Sequence, residues 1–226
     1  MSEALYEKSI KCIICNNSFT SKRLRATACR LDKREEDFYT TYKGHNPMHY
    51  EILVCPHCGY AASESSFGSL SPKEITDTKE ILSGKIIGRN FCGERTVNDA
   101  LDSFKIALFM AKARDAKDSV IAGLSLKLAW VYREMKDSKE NDFLEHALKH
   151  YKLAYDKENL PLGNLDEISV QYLLGELSRR LEKFKDAVFW FNKAVSNPER
   201  ANNPRIEKMA REQWIVAKEQ FKLNCS

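Results

Sequence analysis

Cys12-Ile13-Ile14-Cys15-Asn16 and Cys55-Pro56-His57-Cys58-Gly59 carry one pattern twice: two cysteines separated by two residues, then a residue that tolerates positive φ. Four thiolates at ~2.3 Å complete the tetrahedral sphere of Zn²⁺, and the two-residue spacer lets both sulfurs of a turn face one ion. A sphere closed by protein ligands holds structure and leaves no position for an activated water. The spacing therefore predicts one structural zinc on Cys12, Cys15, Cys55 and Cys58. Iron or an iron–sulfur cluster is a chemically possible occupant of the same thiolates and is placed second. A thioredoxin-type pair would be a single Cys-x-x-Cys opening a helix after a strand, whereas two pairs occur here.

Thirty-nine residues separate Cys15 from Cys55, more than a compact ribbon needs, so the connection must hold structure of its own. Tyr50-Glu51-Ile52-Leu53-Val54 reads as a strand delivering the second turn, with Phe38-Tyr39-Thr40-Thr41-Tyr42 as its expected partner. His57 sits inside its turn and is expected to point away from the metal; His45 and His49 read as surface or packing residues. The remaining cysteines, Cys29, Cys92 and Cys225, have no regular spacing and do not suggest a disulfide framework. The first two read as packing residues and the last as exposed.

Between the turns, Lys22, Arg23, Arg25, Arg30, Lys33 and Arg34 form a strip of six bases against the single acid Asp32. Such a strip can bind phosphates in a salt-sensitive way, which makes nucleic acid an alternative partner. No aromatics are interleaved with it for base stacking, so the preferred reading is that the strip offsets the thiolate charge and pairs with Glu35-Glu36-Asp37.

The rest of the chain repeats itself. Ala100-x3-Phe104-x2-Ala107, Ala147-x3-Tyr151-x2-Ala154 and Ala187-x3-Phe191-x2-Ala194 share one spacing, with a further echo at Ala210, Trp214 and Ala217. Steps of four and three place each set on one helical face, where alanines admit a neighbouring helix and the aromatic fills the groove between them. Leu174-Gly175 precedes the third copy at the separation found in tetratricopeptide repeats, and Leu128-Ala129 with Tyr132 are the corresponding positions one unit earlier. Successive steps of 47 and 40 residues make the repeat degenerate.

Helices are predicted at 72–83, 97–114, 118–136, 141–157, 165–181, 185–197 and 204–222, with capping boxes at Ser71–Glu74 and Asn164–Glu167 and a proline start at Asn203-Pro204. The fold class is mainly α: a zinc-ribbon-like or knuckle-like module with short strands over 1–68, then a tetratricopeptide-like helical array over 69–226, its last helix closing the open end. Projecting the repeat places Trp130, Arg133, Tyr172, Glu176, Arg179 and Arg180 on its inner surface. Arginines beside aromatics there suit an acidic or C-terminal peptide.

Composition and motifs narrow the function classes. With 226 residues, 43% apolar and 30% charged, the chain is an ordinary globular protein, and a net charge of +4 exerts no strong global field on nucleic acid. Acids replace the bases of a signal peptide near Met1, and no run of eighteen apolar residues occurs, so a soluble, unexported protein is expected. His146 and His150 lack the glutamate of a zincin and read as a surface pair. Ser83-Gly84-Lys85 lacks the glycine and hydroxyl of a phosphate loop, and Lys127 stands where a nucleophile elbow after Ser125 needs glycine. No enzyme is expected.

Taken together, KCIICNNSFTSKRLRATACRLDKREEDF, the tract YKGHNPMHYEILVCPHCGYAA and the helical repeats resemble the bacterial family catalogued as domain of unknown function 2225. Members commonly carry another cysteine where this chain has Tyr39. The resemblance implies a cytoplasmic bacterial protein without an assigned activity. The expectation is an adaptor that binds another protein, with nucleic-acid binding or a thiol switch that releases zinc on oxidation as alternatives.

Overall fold

The order of elements follows from where the local signals stop and start. The computed structural model describes residues 4–84 and 89–224. Cys225, and Lys85 of the phosphate-loop comparison, lie outside them. Six short strands come first: β1 (Leu5–Lys11), β2 (Ser18–Leu24), β3 (Arg30–Arg34), β4 (Thr40–Lys43), β5 (Ile52–Val54) and β6 (Ala61–Ser63). Seven helices follow among the described residues: α1 (Pro72–Leu82), α2 (Val97–Ala113), α3 (Asp118–Glu134), α4 (Glu140–Lys157), α5 (Glu167–Arg180), α6 (Phe184–Val195) and α7 (Pro204–Asn224). The protein is thus mainly α with a small β-rich beginning. No described helix is long and apolar enough to cross a membrane.

Each strand pairs antiparallel with its neighbour in sequence, giving three two-stranded ribbons. This corrects one expected pairing: β5 pairs with β6, Val54 opposite Ala61, and β4 pairs with β3 across a register shift between Leu31 and Lys33. Ala61-Ala62-Ser63 has little intrinsic strand preference. It becomes a strand because the cysteine turn folds the chain straight back along β5.

Two compact units result. One comprises residues 1–34, 40–116 and 127–140; the other comprises 35–39, 117–126 and 141–226. In the first, α2 packs on β5 and β6 and beside α1. In the second, α5, α6 and α7 pack against one another.

The small–aromatic–small sets lie where their spacing places them. Ala100, Phe104 and Ala107 are buried in the first unit; Ala147, Tyr151 and Ala154, and Ala187, Phe191 and Ala194, are buried in the second, with Ala210 and Ala217. Burying a ring such as Phe191 contributes about 2–3 kcal/mol. Gly175 shows why the repeat carries a glycine: a Cβ there would lie 2.6 Å from Cδ1 of the fully buried Phe191.

Helix starts are set by side chains that accept otherwise unpaired N–H groups. Ser71 and Glu74 form the expected reciprocal box on α1, and Thr96 with Asp99 forms another on α2. On α5 the cap is Asp166, taking the Ser169 N–H at 2.9 Å, two residues later than the expected Asn164. The Ser71 backbone N–H and hydroxyl, followed by Arg114 at 2.6 Å, hold Glu74 below the usual carboxylate range.

Two measurements test these readings. Gly175→Ala should lower stability by roughly 1–2 kcal/mol, the overpacking against Phe191 exceeding the ~1 kcal/mol gain in helix propensity, and the melting temperature should fall by several degrees. Glu74→Gln should cost on the order of 1 kcal/mol or less at neutral pH, since the site is part-exposed. Because the folded pKa is depressed, this contribution is complete above the unfolded value near ~4.3 and drains away as pH falls through the folded value. Urea melts of wild type and Glu74→Gln should therefore differ at pH 7 and converge near pH 3.

Candidate metal centre

The first cysteine pair sits at the tip of the β1–β2 hairpin and the second at the tip of the β5–β6 hairpin, and the two tips are built alike. In each, the first cysteine donates its N–H to the residue five positions on, Cys12 to Asn17 O at 3.0 Å and Cys55 to Tyr60 O at 2.9 Å. In each, the residue four positions on returns its N–H to the cysteine carbonyl, Asn16 to Cys12 and Gly59 to Cys55, both at 2.9 Å. Closing so tight a loop needs left-handed backbone, which Asn16 adopts at φ 61° and Gly59 at φ 79°.

This geometry turns backbone donors onto sulfur. The N–H groups of Ile14 and Cys15 face the Cys12 sulfur, those of His57 and Cys58 face Cys55, and that of Tyr60 faces Cys58. All four Sγ atoms lie within 4.8 Å of one another, with Cys12 and Cys58 at 3.6 Å and Cys15 and Cys55 at 3.7 Å. Ligands at ~2.3 Å on a tetrahedron are about 3.8 Å apart. The cysteines are free thiols. The four donors thus fit a single soft or borderline cation.

Their electrostatics agree with the chemistry of such donors. Hydrogen bonds from Cys12 and Cys58 drive the Cys55 thiol strongly down, while the Cys55 neighbour lifts Cys12 to about 11 and contact with Cys12 lifts Cys58. Sulfurs this close cannot all be thiolates unless a cation lies among them.

Packing around the centre is apolar. Cys12, Ile14, Phe19, Leu53, Cys55, Tyr60, Ala62 and Phe67 form one buried cluster. The Tyr60 ring lies 4.8 Å from that of Phe67, and burial lifts the Tyr60 hydroxyl to about 12. Cys92 packs at the edge of this cluster, and the Cys29 thiol donates to Arg25 O at 3.5 Å. Burial raises both thiols above their ordinary value.

Polar contacts join the two hairpins behind the sulfurs. Arg23, on β2, donates to Tyr50 O and to the Glu64 carboxylate, which also takes Lys8 at 2.6 Å. Arg95 is buried and holds the approach to β5 by its carbonyls: Nη1 donates to His49 O at 3.0 Å and Ile52 O at 2.7 Å, and Nε to Phe91 O at 2.9 Å. Burial, then Arg23 nearby, lowers its pKa to about 10. Nothing local in Gly93-Glu94-Arg95-Thr96 announces this role, because two of its three acceptors lie more than forty positions away. His57 is exposed and outside the sulfur group, while His49 is buried with Nε2 3.1 Å from Glu134.

The basic strip is divided by strand alternation. Arg23 faces inward with Phe19 and Ser21, whereas Arg30, Lys33 and Arg34 are exposed on β3. Lys22 is half-buried on β2, and Arg25 lies over the Tyr6 ring at 5.1 Å. Glu35, Glu36 and Asp37, the acids expected to neutralise the strip, lie 3.0, 3.5 and 3.6 Å from Arg180. Tyr172 is fully buried and Glu176, also buried, is held by both Arg179 and Arg180. In the first unit, Arg133 pairs with Glu140 at 2.7 Å, and Trp130 is partly buried on α3.

His146 and His150 are tied down, in contrast to the surface pair expected. His146 Nδ1 lies 2.8 Å from Ser125 Oγ and His150 Nδ1 2.6 Å from Asp118 Oδ1, with the rings 4.5 Å apart. Ser125 has no exposed surface and its hydroxyl donates to Ile121 O at 2.7 Å, so this serine and histidine are placed as a helix–helix contact.

Fold and site together define a class: a mainly helical protein whose β-rich beginning gathers four cysteines on two hairpin tips, compatible with a bound metal ion. The chain belongs to the family DUF2225, described as an uncharacterized protein conserved in bacteria, whose model matches residues 5–217. It is also similar to an uncharacterized protein of Borreliella burgdorferi, 26% identical over 199 residues that span 75% of this chain and 69% of the relative. No solved structure matches.

Elemental analysis of the purified chain should find about one transition-metal ion per chain. Cys55→Ser should lose it and Cys92→Ser should keep it; equal retention in both variants would remove the four-sulfur assignment.

Proposed function

We propose that this protein is a non-catalytic cytoplasmic adaptor, in which one structural zinc fixes the β-rich part and a tetratricopeptide-like set of helices binds another protein. The observation that carries the reading is the set of four thiol donors brought within 4.8 Å, which leaves a bound cation no open coordination position. Zinc is the assignment because a closed four-thiolate tetrahedron is its common structural site; iron fits the same donors. The helices support the partner-binding part through α5, where Tyr172, Arg179 and Arg180 stand on consecutive turns beside Glu176. Trp130 and Arg133 on α3 are a second candidate contact.

A nucleic-acid reading has one specific observation in its favour. Arg30, Lys33 and Arg34 are exposed on β3, and among the described residues none of the three forms an ion pair. Binding through them would weaken steeply with salt.

Immobilised full-length protein should capture a bacterial protein from lysate, and Arg179→Glu with Arg180→Glu should reduce that capture roughly tenfold while the metal content stays unchanged. Capture that never exceeds the bead control would remove the adaptor reading. Retention of DNA or RNA on a filter at low salt, lost in Arg30→Ala/Lys33→Ala/Arg34→Ala, would put the nucleic-acid reading in its place.

A further inference from the structure

Glu35-Glu36-Asp37-Phe38-Tyr39 links β3 to β4 and belongs to the second unit. Its backbone is closed on itself. Glu35 donates its N–H to Tyr39 O at 2.7 Å, Phe38 to Glu35 O at 3.1 Å, and Asp37 Oδ1 accepts the Tyr39 N–H at 3.3 Å. Phe38 has φ 72°, a conformation that residues with a side chain rarely adopt and that persists only where surrounding contacts enforce it.

The enforcing contacts come from α5 and the core behind it. The Phe38 ring lies 5.4 Å from Tyr172 and packs against the cluster of Ile168, Tyr172, Ala187 and Phe191. The Tyr172 hydroxyl donates to Glu36 O at 2.7 Å. Arg180 Nη2 reaches all three acids, at 3.0, 3.5 and 3.6 Å, while its Nε lies 2.9 Å from Glu176. A charged fork, a hydroxyl that donates to a backbone carbonyl and an aromatic pocket are elements with which a protein reads a short acidic segment ending in an aromatic.

These are residues that the repeat pattern projects onto a peptide-binding surface, and a peptide lies on them. That peptide is the chain's own. Glu35, Glu36 and Asp37 bring its three carboxylates to Arg180, which Glu176 also holds.

We propose that the α5 surface formed by Tyr172, Glu176, Arg179 and Arg180 is a receptor for an acidic–aromatic segment of a partner protein. The Glu35–Phe38 turn is its resident occupant, which the partner's segment displaces. The assignment rests on the adaptor reading and supplies the chemistry of the partner. Tethering gives the resident a high effective concentration, so the wild-type chain binds a free segment more weakly than a chain whose resident has lost its anchor.

The probe is a labelled peptide with the sequence Lys33 to Thr40, followed by fluorescence anisotropy on the full chain. Phe38→Ala should bind it at least about tenfold more tightly than wild type, and Arg180→Ala added to Phe38→Ala should abolish binding. A peptide with alanine in place of the phenylalanine should fail to bind. Amide exchange supplies a readout that does not depend on the variants folding: excess peptide should speed exchange at residues 35–39 of the wild-type chain. No binding to Phe38→Ala together with unchanged wild-type exchange overturns the proposal, as does binding that Arg180→Ala leaves intact. Dimerisation of Phe38→Ala that excludes the peptide assigns the surface to a second copy and also overturns it. If lysate capture persists while the peptide fails, only this assignment falls; if the peptide binds and capture is absent, the adaptor reading falls instead.

Discussion

Four sulfurs that approach one another this closely repel as anions and gain little as thiols. The hairpins that carry them also share the apolar cluster of Ile14, Phe19, Leu53, Tyr60 and Ala62. β5 and β6 each contribute three residues, far short of a ribbon that is stable alone. A cation at the hairpin tips would convert that repulsion into four strong bonds and fix the spacing of both turns at once. Away from the sulfurs, Arg23, spanning from Tyr50 to Glu64, holds the second hairpin against the first, and Arg95, gathering three carbonyls, holds the approach to β5.

The helices solve a different problem. α2, α4 and α6 each bury a face on which alanines flank a ring, whereas α5 is buried on every side from Ile168 to Ser178 and α1 buries only Thr78. The closeness this permits is visible at Gly175, where helix backbone and the face of Phe191 leave no room for a methyl group. Shape complementarity of this kind tolerates variable linkers, which accounts for unequal repeat lengths on a common helical face. Inside the second unit Gln171 is well paired although it is buried: it donates to Tyr155 and Glu167 and accepts from Asn197.

Much of this was legible from neighbours in sequence. Cysteine spacing, the Asn and Gly that follow, the serine–glutamate box on α1 and the alanine–aromatic rhythm each encode their structure within about five residues. What escaped the sequence was non-local or context-made. Ala61-Ala62-Ser63 is a strand only because a knuckle folds it onto β5, and Arg30 to Arg34, read as a charge strip, is a strand because Thr40 to Lys43 lies beside it. One partner of Glu35, Arg180, lies 145 positions away. Charge alone pointed to the adjacent bases, of which Arg23 is turned inward on β2 and Arg30, Lys33 and Arg34 are exposed on β3.

Every two-stranded ribbon leaves two rows of unsatisfied backbone groups, and such rows invite a neighbouring molecule to extend the sheet. On β3 four of five residues are charged and all five are exposed. Lys43 on the partner strand continues the pattern, 3.8 Å from Asp32. An intruding strand would have to strip water from these ions while facing their field, at a cost that growing fibrils do not recover. The lysines and arginines of this hairpin therefore disfavour strand addition along its edges.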